Sequence, residues 1–498
     1  MSGRTIRVAA IALAVVACAL ALRGQQQSAN VAPTDSSVTV TDMQKHLDEM
    51  SVKIESMRQQ LVDSQKEMDA MRAELNDLRG RMAGKDQGDA ENTAAALRAS
   101  VEQLEEKSDV LESEVKQHDQ TKVESASKYP VRLSGTILFT SVLNSGATDN
   151  IDDPIMARQT QVGTPAGSLS ATPRQTILGL DGTGPHFWGA SSSAAVSVDF
   201  FGGIPYADFT TAAGLLRLRT AHATLAWPNR ELTVAFDSPI LTPRQPTSWV
   251  SVGEPALSWS GNLWVWSPQL KYGQDLPARL RAEIALIDPA APGTSGSTGL
   301  RTPDPAESSR RPGYEAHLGE RIVFGAHTFE VGAGGYYSRQ HYQNGQHLDA
   351  WAATEDWRIV LASPLEVSGA FYRGRGIGGL GGGTFKDYVP YDNYTEYKGL
   401  DDEGGWAQVK WRLSQQLEAN VAGGEDNAFS TELRDSNLLN TQNVYLNLSR
   451  NVTAYGNFVF RPRTYLLFSA EYREVRSWPI SGTANENHIL GLATGYQF

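Results

Sequence analysis

Cysteine is almost absent from this chain. The single one, Cys18, lies inside an N-terminal apolar stretch, residues 8–22. A chain cleaved after that stretch has no disulfide and no thiol chemistry. Long apolar runs are missing too. Residues 8–22 are short for a membrane-spanning helix, and no run of 18 apolar residues follows. There is no basic excess: 44 Lys and Arg against 56 Asp and Glu give a net charge of −12, which argues against a general nucleic-acid binder. Catalytic signatures are lacking as well. HExxH, GxSxG and GxxxxGK[ST] do not occur, and the nine histidines are scattered without paired-ligand spacing. The sequence therefore points to no enzyme, no metal and no cofactor.

What is present falls into three parts. Arg4 and Arg7 precede the apolar stretch, and Ala19-Leu20-Ala21 offers a small-residue cleavage site, so residues 1–24 read as an export signal. An uncleaved anchor is the competing reading, and VVAC ending at Cys18 leaves lipidation open. After a polar linker, 25–39, a heptad begins. Its apolar positions are Val40, Met43, Leu47, Met50, Ile54, Met57, Leu61, Met68, Met71, Leu75, Leu78 and Met82, with Ser64 the one polar interruption. This spacing predicts a coiled coil over 40–123, with a glycine hinge at 84–88 and a second stripe from Leu97 to Val115. Such a stripe needs a partner, either other copies of the chain or a helical hairpin within it.

From Tyr129 the period changes to two. Leu133, Ile137 and Phe139 oppose Arg132, Ser134 and Thr136. Val409 and Trp411 oppose Gln408, Lys410 and Arg412, and Phe468 and Tyr472 oppose Ser469, Glu471 and Arg473. The polar faces keep charges in mid-strand. Short turns such as 227–230 and 461–464 alternate with long polar connections, and Trp227, Phe460, Trp478, Tyr496 and Phe498 sit near strand ends. These features predict an all-β transmembrane antiparallel barrel of about 16 strands over 129–498, set in an outer membrane with the coiled coil in the periplasm. The ending YQF resembles the terminal signal of such barrels. In residues 215–227, Arg217 and Arg219 share a face with Ala221 and Leu225, a conflict that a bulge would resolve.

Residues 368–383 (SGAFYRGRGIGGLGGG), 404–426 and 236–272 resemble segments of bacterial porins of the DcaP-like family. The resemblance implies a trimeric channel for small anionic organic solutes. One departure is Trp266-Ser267, where an arginine is expected. The candidate pore-lining residues are Arg217, Arg219, Lys271, Arg279, Arg281, Lys410 and Arg412, with Glu283, Glu471 and Arg473 beside them. These cations either hold solute carboxylates or brace the wall against Glu283, Glu418 and Glu471. The connection 238–262 is expected to fold inward and bring Arg244, Trp249 and Trp259 to the narrowest point; an outer loop packed on a neighbouring subunit is the alternative. The run GRGIGGLGGG reads as a flexible outer loop. The function read from all this is an outer-membrane porin, with membrane lipid and two further copies of itself as partners and a possible peptidoglycan contact through the coiled coil. The competing function is an envelope-spacing tether with a barrel anchor.

Overall fold

The computed structural model describes residues 130–498 apart from 164, 204–213, 290–301, 326, 343–344, 363 and 440. The export signal, linker and coiled coil expected over 1–123 lie outside the described residues.

Alternating apolar and polar residues, rich in β-branched and aromatic types, form strands because each face of a strand meets one environment. In chain order these are β1 (Val131–Asn144), β2 (Ser168–Thr172 and Ile177–Thr183), β3 (Ser191–Asp199), β4 (Arg217–Trp227), β5 (Arg230–Asp237), β6 (Ser267–Leu276), β7 (Leu280–Ile287) and β8 (Gly313–Phe324). There follow β9 (His327–His341), β10 (His347–Ala362), β11 (Leu365–Arg375), β12 (Asp401–Arg412), β13 (Leu417–Ala428), β14 (Leu448–Arg463), β15 (Leu466–Pro479) and β16 (Asn485–Gln497). Both parts of β2 lie against β1, so the seventeen strand segments of the sheet make sixteen strands. Each pairs antiparallel with the next, and β16 pairs with β1, Thr494 opposite Phe139. The Gly135 N–H donates to the Phe498 carbonyl at 3.0 Å and the Phe498 N–H to Gly135 at 3.1 Å. A closed ring gives the ladder no open edge, which hydrocarbon requires.

Side chains sort by face. Ile137, Phe139, Val234, Ile284, Leu318, Leu490 and Leu492 point outward and are exposed, while Thr136, Thr140, Gln408, Asn457 and Glu471 point inward and are buried. Outward aromatics form two belts. Tyr314, Tyr337, Trp351 and Tyr472 lie toward the long connections, and Phe324, Trp411, Phe460 and Tyr496 toward the short turns.

Two irregularities shape the interior. The register of β3 and β4 shifts between Ser197 and Val198, leaving Arg219 as the extra residue of a bulge. Arg217 and Arg219 both turn inward as alternate residues do, and the bulge puts Thr220 on that face too, so beyond it the parity of the strand reverses. In β2 the ladder breaks at Pro173, which has no N–H to give. Thr176 patches the gap: its Oγ1 accepts from the Leu138 N–H at 3.0 Å and donates to the Leu138 carbonyl at 3.3 Å. The excursion drives Arg174 and Gln175 into the interior, where both are buried.

Candidate functional site

The connection between β5 and β6, residues 238–266, runs inside the ring. Its four prolines (Pro239, Pro243, Pro246 and Pro255) keep it from pairing as a strand, so wall side chains satisfy its backbone. The Ile240 N–H donates to Glu315 of β8 at 3.1 Å, and Thr354 of β10 donates to the Leu241 carbonyl at 2.9 Å. Arg244 pairs with Glu330 of β9 at 3.0 Å and Asp356 of β10 at 3.1 Å. The Thr247 N–H donates to Gln408 of β12 at 2.6 Å, and its carbonyl accepts from Tyr455 and Asn457 of β14 at 3.0 and 2.9 Å. Ser248 donates to Glu471 of β15 at 2.6 Å. Val250 then packs on Leu138, Val142, Ile489 and Ala493. Gly491 of β16 is required there, since a Cβ would lie 2.4 Å from a Val250 methyl.

Gln175 clasps the tip of this loop. Its Oε1 accepts from the Val252 and Gly253 N–H groups at 2.6 and 2.8 Å, and its Nε2 donates to the Val250 carbonyl at 2.8 Å and Thr140 at 3.2 Å. The connection 145–167 adds a second hold. Asp153 accepts from the Glu254 N–H at 2.9 Å and from the Ser251 hydroxyl. Burial raises Asp153 to about 6, against the pull of Arg473. Burial, then the charges of Asp153 and Asp149, push Glu254 up to about 8, so its carboxyl is protonated at neutral pH.

The Gly-rich run is not the flexible outer loop expected from its composition. Ile377, Gly378, Gly379 and Leu380 are buried, and the Leu380 carbonyl accepts from the Trp264 N–H at 3.0 Å. Gly381 has φ +105°, and a Cβ there would lie 3.0 Å from the Trp264 ring. Glycine serves close approach here, not mobility. Phe385 stacks on Trp259 at 4.0 Å and meets Tyr445 at 4.9 Å, joining the connections 238–266, 376–400 and 429–447. The Lys386 amine donates to Thr384 Oγ1 at 2.7 Å and the Leu448 carbonyl at 2.5 Å; burial lowers it to about 7.

The expected pore-lining residues separate into groups. Arg217 and Arg219 share Asp199 at 2.7 and 2.8 Å, and Trp266 lies under both, its ring centroid 5.1 and 4.8 Å from the two guanidinium carbons. They also donate to the Gly253 and Val252 carbonyls, so they brace the loop. Lys271 pairs with Asp237 at 3.0 Å. Arg281 is surrounded by Glu231, Asp275 and Glu283. Lys410 stands 3.7 Å from Glu418, and Arg473 pairs with Glu471 at 2.5 Å. Arg412 is on the same inward face as Lys410 and has no ion pair among the described residues. Arg279 does not join them: it sits exposed in the turn Pro277–Arg279, at the short-turn rim. Sequence reasoning missed Gln175, Asp199, Asp153 and Arg461, which lies over Trp249 at 5.7 Å. The proline interrupting β2 was the one available signal for Gln175.

No protein-family model matches the chain, and no curated protein matches it. Solved structures do match. The crystal structure of the outer membrane channel DcaP of Acinetobacter baumannii is 18% identical over 75% of this chain and 99% of that one, with a TM-score of 0.56. The barrel shares its fold with DcaP. OprB of Pseudomonas putida, solved at high pH, is 10% identical over 76% of this chain and 96% of that one, with a TM-score of 0.48. An anion-selective porin from Comamonas acidovorans is 9% identical over 74% and 100%, with a TM-score of 0.46.

Proposed function

We propose that the chain is a passive porin of an outer membrane, a channel rather than an enzyme, admitting small hydrophilic and chiefly anionic organic solutes. The observation that carries this reading is a closed ring of sixteen strands, apolar outside and charged inside. A ring of this size leaves an aqueous lumen. The loop 238–266 narrows it.

Anion passage draws support from a charge asymmetry across the lumen. On β11–β14, Lys410, Arg412 and Arg461 face two carboxylates, Glu366 and Glu418. On β5–β7, Lys271 and Arg281 face four carboxylates, Asp237, Glu231, Asp275 and Glu283. β6 and β14 are eight strands apart, so the two sets stand across the lumen from one another. A solute carboxylate would travel along Arg412 and Arg461, whose guanidinium groups have no carboxylate partner among the described residues. The homotrimer and the periplasmic coiled coil over 40–123 belong to the same proposal; β1 starts at the short-turn end, the periplasmic side in such barrels.

Reversal potential under a salt gradient tests it. Anion preference is expected in planar bilayers. Cation preference would remove the anion assignment, and protein that never opens a pore would remove the porin. Deleting residues 40–123 separates the tether reading: a porin keeps its conductance, whereas a tether loses its function.

A further inference from the structure

The β9–β10 hairpin carries a histidine pair that the sequence spacing hides. His341 ends β9 and His347 begins β10, six positions apart, and the register sets them directly opposite. The Tyr342 N–H donates to the Gln346 carbonyl at 3.0 Å, just beyond them. The histidines therefore occupy the next, non-hydrogen-bonded position of the ladder, where facing side chains come closest. Their ring centroids are 4.3 Å apart, with the planes at 47°.

Both rings lie on the outward face, in register with Tyr337 and Trp351 of the belt and one turn of the pleat beyond Arg339 and Asp349. Four residues of strand beyond Tyr337 rise roughly 13 Å along the chain, which takes the pair clear of the hydrocarbon. His347 is exposed and His341 partly so. Neither imidazole has a hydrogen-bond or ion-pair partner among the described residues. Arg339 and Asp349 neutralise each other at 3.8 Å.

The hairpin end is held firmly. Tyr342 is buried and packs between Tyr397 and Tyr388, at 5.2 and 4.7 Å. Two imidazoles fixed close together and uncommitted to other side chains form half of a transition-metal coordination shell.

We propose that His341 and His347 chelate one divalent first-row transition-metal ion at the extracellular tip of the hairpin, with water in the remaining positions. Imidazole donors favour Cu2+ over Zn2+ and Ni2+, and exclude Mg2+ and Ca2+. The site lies outside the lumen and is independent of transport.

The test is calorimetric titration of the full-length, metal-free protein in detergent with CuCl2, then ZnCl2 and MgCl2. The expected result is one Cu2+ per chain at this site, weaker Zn2+ binding and no Mg2+ binding. His341→Asn and His347→Asn should each weaken Cu2+ binding about tenfold or more, because one imidazole cannot chelate. Channel conductance of each variant, unchanged, verifies that it folds. Copper bound equally by the double variant, or not at all by the parent protein, would overturn the assignment.

Discussion

Two of the connections that enter the barrel are secured by different balances of polar and packing contacts. The loop 238–266 is held mainly through polar side chains of the wall: Gln175, Gln408, Asn457, Glu471 and the Arg217–Arg219 pair. The connection 376–400 is held mainly by burial and by glycines that let backbone touch side chain, with Ile377, Leu380, Val389 and Leu400 fully buried, and Asp402 and Asp426 of the wall accept from its Gly383 and Thr384 N–H groups. A polar hold is a sum of separable contacts. A packed hold fails as a unit, because a void or a clash spreads through its neighbours.

The largest effect is expected at the packed loop. Gly381→Val adds a side chain at φ +105° against Trp264, and should lower stability by about 3 kcal/mol through strain and overpacking together. Thermal unfolding of the detergent-solubilised protein reads it. A variant as stable as the parent would show that this loop is not held by fit. Gln175→Leu tests the polar loop. It takes that partner from the Val252 and Gly253 N–H groups and the Val250 carbonyl, and with water reaching the half-buried Val252 the loss should be about 2 kcal/mol. The barrel should persist, with larger or flickering single-channel conductance, and a steady parental conductance would contradict the clasp.

Acidity should act on the polar loop through Glu254. Glu254 in the polar loop has a folded pKa pushed above its ordinary value, to about 8, so the folded state binds the extra proton. Its seat is firmest below the ordinary carboxylate range and weakens as pH rises toward 8, by at most about 1.4 kcal/mol per pH unit for one group. Asp153 and Asp149, both raised to about 6, add to this trend, and Arg473 opposes it at Asp153. Conductance noise should grow between pH 5 and pH 8 at a rate that Glu254→Gln reduces. The smallest effect is expected from Arg412→Ala with Arg461→Ala, which takes from loop 238–266 the Arg461 contact with the Trp249 ring and moves the reversal potential toward cations. No movement would remove those two arginines from the solute path.

The wall was legible in the sequence because a strand facing two solvents must alternate, and a lipid-facing Trp411 or Phe468 beside an inward Lys410 or Glu471 records that directly. The bulge at Arg219 could be read as well, since the parity of β4 reverses there. The interior was less legible. Arg217 and Arg219 were evident as inward cations, but Asp199, their partner, comes from another strand whose register the sequence does not state. The Gly-rich segment misled, because glycine carries no side chain to report burial. Gln175 was invisible for a related reason: its role depends on a break in β2 that throws one amide toward a loop some 75 residues away. His341 and His347 look unrelated until the hairpin register folds one onto the other.

The loop 238–266 fastens in turn to β8, β9, β10, β12, β14, β15, β2 and β4, so it behaves as an internal hoop. Squeezing the barrel from circle to ellipse must stretch or slacken that hoop. The calibre of the passage and the roundness of the wall are thus tied through one set of contacts.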